Sequence, residues 1–299
     1  MDDSLECYPM LTKSSSEWSS AMSGVETSDG RAGVVPAIRI RGYDHTYPSE
    51  KDGQLRLVEA LRGIDLSIGS GEFVSFLGPS GCGKTTLLNV LGGLEAPQSD
   101  DIRILGEPPR AGRTDIAYMF ARPALFPWLT VLQNVLLGME VRQLNEQERL
   151  PRAQRFIQSV GLGGFEDAYP GQLSQGMRQR AALARTFSLN SPILLMDEPF
   201  GALDAQTKLT LQELLMELFE EGGKKTVVFV THDLGEAIAL SDRVVVFSDR
   251  PGRIIKDYKV PLSHPRVVEE LQGQASYHEV YAELWQTLAQ AKRNTQGGH

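Results

Sequence analysis

Residues 78–86, Gly78-Pro79-Ser80-Gly81-Cys82-Gly83-Lys84-Thr85-Thr86, fit the pattern G-x-x-x-x-G-K-[ST]. Glycines at this spacing let successive backbone N–H groups converge on phosphate oxygens, and a helix opening there adds its dipole. A lysine in this place reaches β- and γ-phosphates, and the hydroxyl after it can ligate Mg²⁺. A second stretch, "ILLMDEP", puts Asp197 and Glu198 just past an apolar strand. In a parallel sheet that strand end opens on the same crevice as a phosphate loop. Asp197 would hold Mg²⁺ through water there, and Glu198 would polarise an attacking water. These residues alone suit a kinase or a GTPase equally well.

"LSQGMRQR", residues 173–180, asks for more. Ser174 would cap the helix that follows, and with Gly176 it makes a second anion site at a helix N-terminus. One γ-phosphate does not need two such sites on one face of one domain. Two chains facing head to tail would use both, each completing the other's site.

The elements that must position these residues alternate. "AIRIRGY", "ALRGIDLSI", "EFVSFLG", "DIRIL", "DIAYMF", "PILLMD", "KTVVFVTH" and "DRVVVFS" read as strands. "KTTLLNVLGGL", "TVLQNVLLGM", "NEQERLPRAQRFIQSVG", "GMRQRAALARTFSL", "DAQTKLTLQELLMELFEE" and "LGEAIALS" read as helices. The unbroken apolar cores "ILLM" and "VVFV" suit strands covered on both faces, hence a parallel sheet in an α/β domain. Helices from about 130 to 190 have no strand between them and predict a helical insertion. Residues 1–36, rich in Ser, Gly and acids, are expected to be a disordered extension, and "NTQGGH" a frayed tail.

The chain has 299 residues, 41% hydrophobic and 23% charged, enough for a substantial core. A net charge of −8 argues against a broad nucleic-acid footprint. Two cysteines, Cys7 and Cys82, make neither a disulfide framework nor a zinc site, and five scattered histidines add no metal-ligand spacing. No apolar run approaches the ~20 residues of a membrane span, and the Met-Asp-Asp start lacks the order of a secretory signal. A soluble, cytoplasmic protein able to dock on a membrane partner is expected.

The motifs taken together, in order and spacing over about residues 37–260, resemble the nucleotide-binding subunit of ATP-binding cassette (ABC) transporters. "GPSGCGKTT" resembles that family's phosphate loop, "LSQGMRQR" its signature sequence and "LLMDEP" its magnesium and catalytic strand. "GALDA" resembles the dimer-contacting loop that carries Asp204, and "VTHD" the switch histidine, His232. Tyr47, ahead of the first hairpin, resembles the aromatic that stacks on adenine, with Tyr43 and a plain core role in competition. The resemblance implies a P-loop NTPase (RecA-like) fold: a parallel-sheet core, an antiparallel β subdomain and a helical subdomain inserted at about 122–190. A partly helical extension over 261–299 would follow. It implies ATP and Mg²⁺ as cofactors, with residues 78–86 on the phosphates and Thr85 and Asp197 on the metal. Lys84, Glu198 and His232 would be catalytic, while Ser174 and Gly176 would cap the nucleotide held by a second subunit.

The chain departs from that pattern twice. Ala121, in "MFARPALFPW", stands where the family usually has a glutamine that serves Mg²⁺ and the membrane subunit. Arg122 cannot replace it as a metal ligand, because guanidinium only donates. Gln175 stands where glycine is more usual. Slower or less tightly coupled hydrolysis is expected. "ALFPWLTVLQNV" and "SDRPGRIIKDYKVPLSHPR" resemble the importer branch serving nitrate, sulfonate, taurine and bicarbonate. There Pro127-Trp128 would grip a permease, unless Trp128 covers the helical core, and "RPGRI" would be that branch's mark or a hairpin turn. The implied partners are permease subunits, a second nucleotide-binding subunit (identical or paralogous) and, indirectly, a periplasmic or lipid-anchored solute-binding protein, with no nucleic acid. The implied place is the cytoplasmic face of the inner membrane. Rival readings are a nucleotide-gated regulatory subunit with little turnover and a soluble ABC-type ATPase of DNA repair or cofactor assembly.

Overall fold

Along the chain of the computed structural model, strands β1 (Ile38–Lys51), β2 (Gln54–Ile68) and β3 (Phe73–Leu77) precede helix α1 (Lys84–Leu91), β4 (Ile102–Ile104) and β5 (Ile116–Met119). Three helices follow without a strand: α2 (Val131–Val141), α3 (Glu146–Ser159) and α4 (Gln175–Ser188). The chain then alternates through β6 (Ile193–Asp197), α5 (Ala205–Glu221), β7 (Thr226–Thr231), α6 (Leu234–Leu240) and β8 (Arg243–Phe247). It ends in β9 (Ile254–Lys259), α7 (Val268–Leu271) and α8 (Ala275–Gln296). The structure describes residues 36–51, 53–201, 203–221 and 225–296. They belong to one unit, residues 36–299. The expectation for residues 1–36 lies, Pro36 apart, outside the described residues.

Strands β5-β6-β7-β3-β8 form a parallel sheet in that order, and β9 joins its edge antiparallel to β8. Side chains alternate between the two faces of each strand. Phe73, Leu77, Leu194, Met196, Phe229 and Val246 enter one apolar cluster, with Val131, Ile157, Leu183, Leu211 and Ile238 from the helices. Val74, Phe76, Leu195, Val228, Val245 and Phe247 enter the other, with Leu87, Leu88 and Leu91 of α1 and Ile38, Ile40 and Ile102 of a second sheet. Both faces are thus covered, which is why these strands carry no polar alternation. The second sheet is antiparallel, ordered β2-β1-β4.

Some expectations need correction. Strand β1 continues well past Tyr43, so Tyr47 lies inside the first hairpin, opposite Val58, rather than ahead of it. "RPGRI" does turn, but it delivers an additional strand, β9, whose residues alternate half-buried and exposed as an edge strand's do. Helix α8 runs to Gln296, into the stretch read as a frayed tail.

Candidate functional site

The phosphate loop joins β3 to α1 at the carboxyl end of the parallel sheet. Gly83 carries φ 102°, and a Cβ there would stand 2.7 Å from the Ala60 carbonyl oxygen of β2. Only glycine lets the loop pass so close with that backbone. Lys84 is 4% exposed. Its Nζ donates to the carbonyls of Gly78 (2.7 Å) and Pro79 (2.8 Å) and lies 3.7 Å from Cys82 Sγ. The loop is thereby wrapped around a buried cation, held by charge-assisted bonds. Burial pushes the Cys82 thiol up, so it behaves as a small packing group rather than a nucleophile.

Thr85, one residue on, donates from Oγ1 to Asp197 Oδ1 at 2.8 Å. Burial raises the Asp197 carboxyl; the Thr85 bond and nearby Lys84 oppose the shift, and Glu198 adds to it. A hydroxyl and a carboxylate brought into contact are oxygen donors of the kind Mg²⁺ takes, with waters and phosphates completing its octahedron. Among the described residues no cluster of three or more His, Cys, Asp or Glu could hold a metal alone. The donor set fits a magnesium ion that arrives with a nucleotide.

Glu198 follows with φ 42°, a left-handed conformation that costs a non-glycine residue energy. Its N–H donates to Val230 O at 3.0 Å, continuing the β6–β7 ladder, while the turn swings the carboxylate across the strand ends. There Glu198 Oε2 meets His232 Nδ1 at 2.9 Å, at the end of β7. With the proton of His232 on Nδ1, the carboxylate accepts and the ring is oriented by it.

Tyr47, Ser80, Gly81, Lys84, Thr85 and Thr86 line one cavity of about 300 Å³, together with Glu198 and Arg250. Tyr47 Oη reaches Thr86 Oγ1 at 3.4 Å, and its ring packs edge-on against His45 at 4.8 Å. Tyr43 is buried in the core, its hydroxyl 2.8 Å from His45 Nδ1. Of the two tyrosines, Tyr47 faces the cavity. His232, Gly78 and Pro79 border a neighbouring apolar groove whose other wall is Trp285 and Leu288 of α8.

Ser174, Gly176 and Asp204 do not line the phosphate-loop cavity of their own chain. Ser174 caps α4, accepting from Met177 N at 3.2 Å. A Cβ on Gly176 would meet Thr207 Cγ2 at 2.8 Å. Asp204 accepts from Thr207 N at 3.0 Å, and that backbone bond holds its carboxyl below the usual range. Thr207 thus brings the signature helix and the "GALDA" loop side by side. Gln179 adds a second tie, from α4 to the Pro199 carbonyl beside Glu198.

Ala121 is exposed in the loop after β5. Arg185 clamps that loop through the carbonyls of Ala124 (2.7 Å) and Pro123 (2.8 Å), and Asn134 exchanges bonds with the backbone of Phe126. Trp128 is 68% exposed beside Phe126, which is itself exposed. It does not cover the helical core, so that alternative is set aside. Arg250, Gln179 and Trp285 were not singled out from the sequence. Gln179 and Arg250 lie inside the quoted stretches "LSQGMRQR" and "SDRPGRIIKDYKVPLSHPR", but their places, like that of Trp285, depend on chain segments distant in sequence.

A parallel sheet with a phosphate loop after β3 makes this a P-loop NTPase. The chain belongs to the ABC transporter ATP-binding family. The ABC transporter family model matches residues 61–201. The ABC transporter ATP-binding protein MJ0412 of Methanocaldococcus jannaschii is 49% identical over 209 residues, covering 70% of this chain and 78% of that one. YtlC of Bacillus subtilis is 42% identical over 252 residues, covering 84% and 95%. The bicarbonate transport ATP-binding protein CmpC of Synechococcus elongatus is 44% identical over 237 residues, 78% of this chain but only 36% of that longer one. A dimeric ATP-binding cassette, MJ0796, in a post-hydrolysis state with ADP and Pi superposes with a TM-score of 0.65 at 33% identity, over 76% of this chain and 100% of that one.

Proposed function

We propose that this chain, the ATP-binding subunit of an ABC transporter, hydrolyses Mg²⁺·ATP to drive uptake of a small anion through a membrane permease. The observation that carries hydrolysis is the Glu198–His232 pair at 2.9 Å, beside the Thr85–Asp197 contact at 2.8 Å. Residues 78–86 would hold the phosphates and Tyr47 the adenine. Thr85 and Asp197 would hold Mg²⁺, which when bound draws charge from the β- and γ-phosphate oxygens. Glu198 accepts a hydrogen bond from the water that attacks the γ-phosphorus, and His232 steadies that carboxylate and senses the phosphate. Lys84 supplies a buried positive charge against the charge that builds on the leaving oxygen.

Ser174, Gly176 and Asp204 lie outside the cis cavity, which supports a head-to-tail dimer in which they cap the partner's nucleotide. The exposed Phe126–Trp128 surface, on a loop clamped by Arg185, supports a permease contact. Among the described residues no helix is long and apolar enough to cross a membrane. Peripheral attachment to the cytoplasmic face of the membrane follows from that docking. Similarity to CmpC supports bicarbonate or a related anion as the solute, with a solute-binding protein as an indirect partner. The exposed Ala121, which offers no metal ligand, favours a second reading, a nucleotide-gated regulatory subunit. Glu198 in its strained turn against His232 weighs against it.

The assembly is tested by gel filtration of Glu198→Gln with Mg²⁺·ATP. A stable dimer holding two nucleotides is expected. A protein that binds ATP and stays monomeric would count against the sandwich.

A further inference from the structure

The "RPG" stretch after β8 has no task in the reading so far, yet it is built into the site. Ser248 N donates to Arg253 O at 2.9 Å, closing the loop. Inside it, Ser248 Oγ reaches the carbonyls of Asp249 (2.8 Å) and Pro251 (3.1 Å) and accepts from Arg253 N (3.0 Å). Gly252 fastens the loop to β2: its N–H donates to Ala60 O at 2.9 Å and its carbonyl accepts from Arg62 N at 3.0 Å. A Cβ on Gly252 would stand 2.0 Å from the Cys82 carbonyl oxygen, so this loop and the phosphate loop touch backbone to backbone. Two residues earlier than that seam, Arg250 reaches the same cavity as Lys84 and Tyr47.

We infer that Arg250 is a nucleotide-binding residue, its guanidinium engaging the part of the nucleotide that ATP and ADP share. This rests on the ATP-binding reading above. Arg250 Nε donates to Glu59 O at 3.2 Å. Glu59 lies opposite Thr46 in the hairpin, beside the Val58–Tyr47 pair. The side chain is therefore anchored at the end of the cavity that carries Tyr47, the base and ribose end. Among the described residues no carboxylate pairs with Arg250, and the Glu59 carboxylate belongs to Arg62. Both terminal nitrogens remain as donors in a cavity whose other cation, Lys84, already holds two loop carbonyls. A planar fork of N–H donors suits phosphate and ribose oxygens, and a rigid loop reduces the ordering entropy of presenting it.

Isothermal titration of the purified chain with Mg²⁺·ADP and with a non-hydrolysable ATP analogue tests this, with Arg250→Ala and Arg250→Lys alongside. Loss of a charge-assisted contact should weaken both nucleotides about tenfold in Arg250→Ala, and by less in Arg250→Lys, which keeps the charge without the fork. Without ligand, both variants should melt within about 2 °C of the parent, because the side chain is exposed and so is the bond it gives to the Glu59 carbonyl. Unchanged affinity for both nucleotides in Arg250→Ala overturns the inference. So does a loss confined to the ATP analogue, which would move the contact to the γ-phosphate. A parent chain that binds neither nucleotide overturns the ATP-binding reading itself, and this inference with it.

Discussion

Asp197, proposed above as a magnesium ligand, sits where burial disfavours its charge. Burial raises its carboxyl, so the nucleotide-free fold grips that proton more tightly than the unfolded chain does. Its contribution to stability is present below the ordinary carboxylate pKa and is lost as pH rises through the raised value. Asp197→Asn should therefore raise the melting temperature of the nucleotide-free protein at neutral pH, while the same variant loses Mg²⁺-dependent turnover; calorimetry beside an ATPase assay reads both. Ala121 is the second informative single residue. Its exposed site admits a longer side chain, and Arg185 and Asn134 hold the loop whatever stands there. If the proposed Mg²⁺ site holds, Ala121→Gln would offer it an oxygen ligand, and a severalfold rise in kcat with little change in stability is the expected result. Steady-state kinetics and thermal melts check the pair.

Between elements, Lys208 of α5 joins the loop of Asp204 to the end of β7 that carries His232. Its Nζ pairs with Asp233 (2.6 Å), the residue after His232, and with Glu236 (2.7 Å) of α6. Burial would lower the Lys208 ammonium, but the two carboxylates raise it overall; the Glu236 carboxyl, 5% exposed, stays raised by burial even so. Lys208→Met would leave Glu236 buried without its cation, a loss of about 3 kcal/mol at neutral pH. The deficit should shrink as pH falls through the raised Glu236 value, where the carboxyl takes a proton; denaturant melts across pH would show it. A deficit flat with pH would mean that the loss is one of packing alone.

Element by element, what the sequence disclosed follows from burial. Strands β3, β6, β7 and β8 are covered on both faces, so their apolar runs were plain. Helix α4 announced itself through the Ser174 cap. Strand β9 is covered on one side only and mixes Lys256, Asp257 and Lys259 among its apolar residues, which hid it. The strand–loop–helix around Lys84 and the strand end that carries Asp197 and Glu198, which the structure brings together, were legible because glycine spacing and an unbroken apolar run are local patterns. Arg250 was not, since its place depends on Gly252 fitting between β2 and Cys82, a contact no local pattern announces.

In the molecule as a whole, the two helix starts proposed to bind anions do not share one cavity. The cavity of Lys84 is lined in cis, whereas Ser174 and Gly176 stand outside it, at the start of a helix braced by Thr207. Ser174→Glu places a negative charge at that helix start. It should abolish ATP-driven dimerisation and turnover while leaving ADP affinity in the cis cavity within about twofold, since exposed substitutions act locally. Titration and gel filtration on the same sample separate the two effects. Loss of ADP binding in that variant would place Ser174 in the cis site instead.

The most direct test of the account is Mg²⁺-dependent release of phosphate from ATP by the purified chain, measured beside Glu198→Gln. The parent should turn over, and the variant should bind ATP yet lose activity by a factor of about 100 or more, the range for removing a positioned general base. Turnover by Glu198→Gln at the parent's rate, or a parent no faster than the variant, would contradict the assignment of hydrolysis to this site.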